Sequence, residues 1–158
     1  GDDVAFVEIV RPLLRLVEES LQSPERPMRF MVIGDGGRLA ATVVTPLSVV
    51  LTELLQNAVD HGFPEGDGGG NVAVRLQVEE SELEIAVIDD GRGIPAGFKL
   101  ADAKGLGLSI VRTLVTTELA GTIEMRPARA DELAEVEFVP RDGNTGTVIL
   151  LRVPLQSD

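Results

Sequence analysis

Apolar residues recur at intervals of three and four in two long stretches of the chain, the spacing typical of amphipathic helices. The first stretch is residues 4–22, where Pro12 is expected to kink or divide the helix. The second is about residues 46–62, for which Thr45 is the predicted cap and Pro46 the predicted first helical residue. A third helix, which begins on glycines, is predicted over 105–119.

Alternating apolar and polar residues predict about seven strands. They cover residues 28–33, 38–44, 71–79, 82–89, 121–127, 135–139 and 147–153. The short segment "EES" joins two of them as a hairpin, and most of the other connections are also read as hairpins. Three helices and these strands favour an α+β fold, a two-layer α/β sandwich in which helices cover one face of a mixed, mainly antiparallel sheet.

Composition narrows the possible functions. The 158 residues carry a formal net charge of −12, which argues against a nucleic-acid surface. The chain has no cysteine and one histidine, so thiolate and multi-histidine metal sites are excluded. No uninterrupted apolar run approaches the roughly 18–20 residues that span a bilayer, so no membrane contact is expected. The absence of cysteine fits a reducing compartment, and a cytoplasmic location is expected.

Three polar residues lie four apart on the predicted helix 46–62. Glu53, Asn57 and His61 form a ridge beside its apolar stripe. Such a ridge is either a partly solvated helix flank or part of a site. In the second interpretation Asn57 offers a carbonyl oxygen to a hard cation such as Mg²⁺, and Glu53 acts as a base or orients a water.

A carboxylate ends the apolar row of the predicted strand 82–89. Leu83, Ile85 and Val87 share one face of the strand, and Asp89 is the next residue on that face. Asp89 is either the cap of a local turn, accepting from the N–H of Gly91, or an acceptor for an exocyclic amine such as that of adenine. Glycines at 91 and 93 would let the backbone approach a flat ring closely.

Glycines also lead into the third predicted helix, in "KGLGLSIV", residues 104–111. Free N–H groups at a helix start can bind an anion, and Lys104 adds a positive charge. The alternative is a glycine-rich junction without a ligand. Neither a Walker P-loop nor a dinucleotide-binding fingerprint is present.

The order of these motifs is more specific than any of them alone. "ELLQNAVDH" (53–61), "DDGRGIP" (89–95), "GLGLSIV" (105–111) and "GTVILLRVP" (146–154) together resemble the ATP-binding domain of the gyrase–Hsp90–histidine kinase–MutL superfamily. Within it, "GLGLSIVRTLV" resembles the catalytic domain of bacterial sensor histidine kinases, and the His four residues after Asn57 resembles one group of these kinases.

The resemblance implies ATP and Mg²⁺ as ligands and gives the residues roles. Asn57 would coordinate Mg²⁺, Glu53 would be the general base, Asp89 would accept from adenine, and residues 95–104 would form a lid. The remaining nucleotide-binding residues would be His61, Gly91, Gly93, Ile94, Lys104, Gly105, Leu106, Gly107, Leu108 and Thr147.

The chain departs from the family at three points, one of which is a short lid where only Phe98 could stand for the phenylalanine motif of some kinases. Many relatives carry Lys or Arg three residues after the Asn, where this chain has Asp60, so Lys104 or Arg92 is a possible substitute and Asp60 a possible aid to the cation. The phosphoacceptor segment is also missing. We therefore interpret residues 1–27 as a helix connecting to an upstream region and residues 28–158 as the catalytic domain.

The expected activity is transfer of the γ-phosphoryl group of Mg-ATP to a histidine on a separate phosphoacceptor domain. A response regulator is the expected further partner, and a homodimer is expected only in the full-length protein. The alternatives are a protein-serine kinase of the anti-sigma-factor type and a non-catalytic ATP-binding module.

Overall fold

A five-stranded sheet carries the domain in the computed structural model, which describes residues 3–64, 66, 68–94, 106–139 and 143–155. The strands are β1 (Asp3–Ala5), β2 (Met28–Gly34), β3 (Arg38–Ala40), β4 (Gly70–Glu79), β5 (Glu82–Asp89), β6 (Thr122–Pro127) and β7 (Thr147–Pro154). The helices are α1 (Phe6–Leu21), α2 (Ala41–Gly62), α3 (Leu106–Thr113) and α4 (Ala130–Glu135), and a π-helical segment, Leu114–Glu118, continues α3.

The main sheet has the strand order β2-β4-β5-β7-β6, and β1 pairs with β3 in a separate two-stranded sheet. Strands β2 and β4 are parallel because α2 crosses between them, whereas all other neighbours in the main sheet are antiparallel. The predicted mixed, mainly antiparallel sheet is therefore confirmed. The β4–β5 hairpin was also predicted correctly, and its turn places Glu80 at a φ of 55°.

Helices α1, α2 and α3 pack on one face of the sheet, which confirms the predicted two-layer α+β sandwich. The apolar stripe of α2 is fully inside, with Leu47, Val50, Leu51, Leu54 and Leu55 each 0% exposed. Four residues of α1 join the same core: Phe6, Val10, Leu14 and Val17. The connection of this helix to an upstream region stays a prediction.

The predicted start of α2 was wrong. Strand β3 ends at Ala40 instead of continuing to 44, and α2 begins at Ala41 with no side-chain cap, so Pro46 lies inside the helix. Strand β3 pairs with β1 over three residues only, and the chain then turns directly into the helix. With 22 residues and a mean hydropathy of 1.3 in its most apolar 18-residue window, α2 is long and apolar enough to cross a membrane by length and composition alone. Its buried stripe assigns it to the core of this domain.

The predicted strand 135–139 was also wrong, because the chain forms the short helix α4 and then a turn there. Burial does alternate, since Val136 and Phe138 are buried while Glu137 and Val139 are exposed. Glu137 has a φ of 63°, which interrupts an extended backbone. Both buried residues pack with Leu133 of α4 on the face of the sheet opposite the three larger helices.

The predicted helix 105–119 has two parts in the structure. After α3 the chain forms π-type bonds, in which the N–H of Leu119 donates to the carbonyl oxygen of Leu114 over 3.0 Å. Val115 lies inside this segment at 0% exposure, so the π-helical segment packs on the same core as α3.

Candidate functional site

Asp89 ends β5 on the face that the helices cover, as the alternation predicted. It is 2% exposed, and the backbone N–H of Gly91 donates to its Oδ1 over 2.9 Å. Burial raises its pKa to about 7, while hydrogen bonds from the backbones of Gly91 and Thr147 act in the opposite direction. The turn-cap interpretation is therefore confirmed, and the adenine contact stays a prediction that the same geometry allows.

The loop after Asp89 packs on the last turn of α2. The backbone N–H of Arg92 donates to the carbonyl oxygen of Gly62 over 2.9 Å, and the Nε of Arg92 donates to the carbonyl oxygen of His61 over 2.8 Å. A Cβ added at Gly91 would lie 2.5 Å from the carbonyl oxygen of Gly62. Any larger residue at 91 would therefore separate the loop from the helix.

The start of β7 closes the same junction from the other side. The N–H of Gly146 donates to the carbonyl oxygen of Gly91 over 2.9 Å, and Thr147 pairs with Asp89 across the ladder. Gly93 has a φ of 85°, and a Cβ there would collide with the Oγ1 of Thr145. The structure thus brings predicted residues His61, Asp89, Gly91, Gly93 and Thr147 together in one region of the fold.

Sequence reasoning missed Gly62, Thr145 and Gly146 as parts of this junction. Each matters because of a contact with a residue far away in the chain, which no local pattern reveals. The one available signal was that Gly146 belongs to the quoted "GTVILLRVP" motif.

The polar ridge lies on α2, N-terminal to this junction. The side-chain amide of Asn57 donates from Nδ2 to the carbonyl oxygen of Glu53 over 2.8 Å, so its Oδ1 is the atom left to accept or to coordinate. Glu53 and Asn57 are half-buried, whereas His61 is exposed. Within the described ranges no three His, Cys, Asp or Glu side chains form a cluster that could hold a metal ion. A carbonyl oxygen such as Asn57 Oδ1 fits Mg²⁺, which is usually held by few protein ligands plus phosphate oxygens and water.

Asp60, which the sequence suggested as an aid to the cation, lies beside an arginine instead. Its Oδ1 lies 3.8 Å from Nη1 of Arg26, in the connection between α1 and β2. Asp60 is exposed, and this contact gives no support to Asp60 as an aid to the cation.

The glycine-rich start of α3 is described from Leu106 onward, so Lys104, Gly105 and the predicted lid 95–104 lie outside the described residues. Leu106 and Gly107 are helical, and their N–H groups belong to the first turn, which has no partners inside the helix. Leu108 is 5% exposed and packs in the core, so it offers a phosphate only its backbone N–H. Ile94 is half-buried beside Gly93.

The family of the chain follows from its likeness to known proteins. The family described as "Histidine kinase-, DNA gyrase B-, and HSP90-like ATPase" matches residues 42–157, which include the polar ridge, Asp89 and Thr147. The chain belongs to this family. The order of the motifs predicted an ATP-binding domain of this superfamily, and that prediction is confirmed.

Sensor histidine kinases are among its sequence relatives. The chain is 37% identical over 154 residues to the sensor histidine kinase PdtaS of Mycobacterium tuberculosis, a match that covers 98% of the chain and 28% of that relative. The chain thus spans just over a quarter of that relative's length. The predicted place in the histidine kinase group is confirmed.

Two solved structures show the same fold. The histidine kinase domain of the blue-light activated kinase EL346 of Erythrobacter litoralis matches with a TM-score of 0.73 and 23% identity, over 96% of this chain and 62% of that one. The histidine kinase ThkA, solved in complex with the response regulator TrrA, matches with a TM-score of 0.69 and 22% identity, over 98% of this chain and 41% of that one.

Proposed function

We propose that the chain is the catalytic part of a sensor histidine kinase and that it transfers the γ-phosphoryl group of ATP to a histidine outside the chain. The observation that carries this proposal is the convergence of α2, the Asp89 loop and β7 around one buried carboxylate. Membership of the ATPase family and the likeness to PdtaS support it.

The residues of the junction would hold the base of the nucleotide. The carboxylate of Asp89 would accept from the exocyclic amine of adenine, an interaction that a guanine carbonyl could not make. The absence of Cβ atoms at Gly91 and Gly93 would let the ring lie against the backbone. The first N–H groups of α3, at Leu106, Gly107 and Leu108, would donate to phosphate oxygens.

The transfer step needs an attacking nitrogen and a proton acceptor. A nitrogen of the acceptor imidazole would bond to the γ-phosphorus while the bond from that phosphorus to the bridging oxygen breaks and ADP leaves. Glu53, half-buried one turn before Asn57, would take the proton that the imidazole loses. The Oδ1 of Asn57 would hold Mg²⁺, which supplies neutralisation of charge on the phosphate oxygens when bound.

The partners belong to the proposal as well. The PdtaS name supports a phosphoacceptor histidine domain in the intact protein, and the ThkA–TrrA complex supports a response regulator. A homodimer of the full-length protein would bring two such domains together, and the whole reaction would take place in the cytoplasm.

Labelling with γ-³²P-ATP tests the proposal on the full-length protein that contains this chain. A phosphate that is stable in base and lost in acid is expected, and Glu53→Gln should slow its formation while ATP still binds. The matched control is Gln56→Ala, an exposed residue on the same helix, which should label normally. An acid-stable phosphoserine on a partner would favour the serine kinase alternative instead, and ATP binding without any label would favour the non-catalytic module.

A further inference from the structure

Asp90 follows Asp89 directly but its side chain makes an entirely different set of contacts. Successive side chains of a strand point to opposite faces, so the two acids diverge. The backbone N–H of Asn71 donates to Oδ1 of Asp90 over 2.8 Å, and the Nδ2 of Asn71 donates to Oδ2 over 2.8 Å. The N–H of Asp90 donates to the carbonyl oxygen of Asn71 over 3.3 Å. Asp90 is 6% exposed.

These three bonds extend the β4–β5 ladder by one step. The last regular pair is Val72 with Asp89. At the next step, the carboxylate of Asp90 accepts the N–H of Asn71 in place of the backbone carbonyl oxygen of Asp90. A carboxylate that accepts two N–H bonds is held more tightly than a backbone pair, because such bonds are charge-assisted. The backbone on both sides of Asp89 is therefore fixed, by the ladder before it and by the Asn71–Asp90 pair after it.

Gly70, the residue before Asn71, lets Asp90 and Phe63 approach the backbone closely. A Cβ at Gly70 would lie 2.6 Å from Oδ1 of Asp90 and would also collide with the ring of Phe63, which is 1% exposed. Phe63 directly follows α2. The Asn71–Asp90 pair thus joins the connection after α2 to the loop that carries Gly91.

We propose that Asp90 is a positioning residue of the nucleotide site, whose bonds to Asn71 hold the loop so that Asp89 faces adenine. Asp90 itself contacts no nucleotide in this scheme. The inference rests on the proposed nucleotide site, and it gives a role to Asp90, a residue of the motif to which the family resemblance assigned none.

Three variants of the 158-residue chain separate positioning from charge. Asp90→Ala removes both bonds between its carboxylate and Asn71, and Asn71→Ala removes the one from the Asn71 side chain. Asp90→Asn can keep both, because its Oδ1 accepts from the Asn71 backbone and the Asn71 amide can turn to accept from its Nδ2. The control is Asp35→Ala, since Asp35 makes a similar turn bond to the N–H of Gly37 over 2.7 Å at an exposed position.

Titration calorimetry with Mg-ATP and Mg-GTP is the measurement, with thermal unfolding of each variant recorded without nucleotide. Asp90→Ala should weaken ATP binding at least tenfold and reduce the preference for ATP over GTP. Asp90→Asn should stay within about threefold of the unchanged chain, and Asn71→Ala should fall between. If Asp90→Ala does not fold, the test is the comparison of Asn71→Ala with Asp90→Asn. Weaker ATP binding by Asn71→Ala supports the inference, and equal binding contradicts it.

The pH dependence of ATP binding gives a second measurement, which tests whether Asp89, the residue that Asp90 would position, is the group that contacts ATP. The charge of Asp90 raises the pKa of Asp89. Among the described residues of the segments that meet there, His61 on α2 and Arg92 in the loop are also ionisable. In Asp90→Asn the midpoint of the pH dependence should therefore move to lower pH.

Two results would overturn the inference. One is wild-type affinity and base preference in Asp90→Ala. The other is an equal loss in Asp90→Asn and Asp90→Ala, which would mean that charge matters and the hydrogen bonds do not. Failure of the unchanged chain to bind ATP would instead refute the proposed function.

Discussion

At the scale of single residues, the buried carboxylate of Asp89 destabilises the nucleotide-free fold but would be needed for the proposed contact with adenine. An ionised carboxylate at 2% exposure costs free energy, because the two backbone hydrogen bonds replace only part of its hydration. An apolar residue would stabilise the empty domain at this position, but it would offer nothing to an amine. The raised pKa of Asp89 is the measurable sign of that conflict.

The stability of the nucleotide-free chain should therefore fall as pH rises. The pKa of Asp89 is about 7 in the folded chain against 3.8 as the ordinary value, so the folded state holds the proton that the unfolded state releases. The stabilisation is complete below about pH 4 and is lost as pH rises through about 7, with an upper limit of about 4 kcal/mol. Urea unfolding of the unchanged chain and of Asp89→Asn, at pH 5 and pH 8, checks this. The variant should show the smaller pH difference, and equal differences would contradict the assignment.

Binding should show the opposite dependence on pH at the same residue. An ionised Asp89 is the better acceptor for an amine, so ATP affinity should increase between pH 6 and pH 8. Asp89→Asn should bind ATP at least tenfold more weakly at pH 8, and it should lose the increase. Calorimetry over this range is the measurement. An increase that persists in the variant would assign the effect to another group.

Asn57→Ala should abolish Mg²⁺-dependent ATP binding and leave the fold intact. The side chain makes one hydrogen bond, to the carbonyl oxygen one turn earlier in the same helix, so its loss should cost about 1 kcal/mol of stability or less. Calorimetry with Mg²⁺ and with EDTA gives the affinity, and Gln56→Ala is the control. Unchanged affinity with Mg²⁺ would refute the metal role.

The sequence predicted which face of β5 carries Asp89, but not how the segments around Asp89 meet. Alternation alone placed Asp89 on the helix-covered face, since Ile85 and Val87 fix which face is inside. The contact between Gly91 and Gly62 depends on how a strand end and a helix end approach each other in space. No pattern within either segment contains that information.

At the scale of elements, α4 is the unexpected part of the structure. Two hydrogen bonds, of 2.7 and 2.6 Å, join the guanidinium of Arg126 to the carboxylate of Glu132, which also accepts the N–H of Arg129 over 2.9 Å. The Arg126 pair holds the pKa of Glu132 down at about 2. This contact joins α4 to β6. A second ion pair joins α4 to β4, since Nη1 of Arg75 lies 2.7 Å from Oε1 of Glu135.

Glu132→Gln should destabilise the chain by about 1–3 kcal/mol at pH 7, because it breaks charge-assisted bonds at a residue 9% exposed. The stabilisation is present above pH 4.5, the ordinary pKa, and is lost as pH falls through about 2. Urea unfolding of the unchanged chain and of Glu132→Gln measures this stabilisation, and the difference between the two should be larger at pH 7 than at pH 3.

Glu82→Gln is the matched control for that experiment. Glu82 lies 3.9 Å from Nε of Arg152 and is half exposed, so its loss should change the stability by less than about 0.5 kcal/mol. Equal effects of the two substitutions would show that the Arg126–Glu132 contact has no special weight.

Element prediction succeeded where the pattern was long and failed where it was short. The 22 residues of α2 and the β4–β5 hairpin carry many repeats of their periods, so only the start of α2 was misplaced. Between 135 and 139 the alternation is real, but it reflects Val136 and Phe138 packing on a sheet that they do not join. A burial pattern of five residues cannot separate a strand from a turn against a sheet.

At the scale of the whole molecule, the sheet order brings distant segments to one site. Strand β5 lies in the middle of the sheet, between β4 and β7, and its last residue meets Thr147 at the start of β7. Because α2 crosses from β2 to β4 over the same face, its final turn comes to the loop after β5. The glycines at 62, 91 and 146 let these three backbones meet without side chains between them.

The net charge of −12 should make the approach of ATP slower at low salt. Nucleotide and protein are both anions, so the field of the whole chain repels the ligand, and added salt screens that repulsion over a Debye length of about 10 Å at 0.1 M. The association rate of a fluorescent ATP analogue should therefore rise roughly twofold or more between 20 and 200 mM NaCl, in about 1 mM Mg²⁺. The analogous uncharged nucleoside should show no such dependence. A nucleotide association rate that falls with salt would mean that local positive groups dominate the field at the site, and stopped-flow measurement on Arg92→Gln would then show whether Arg92 is one of them.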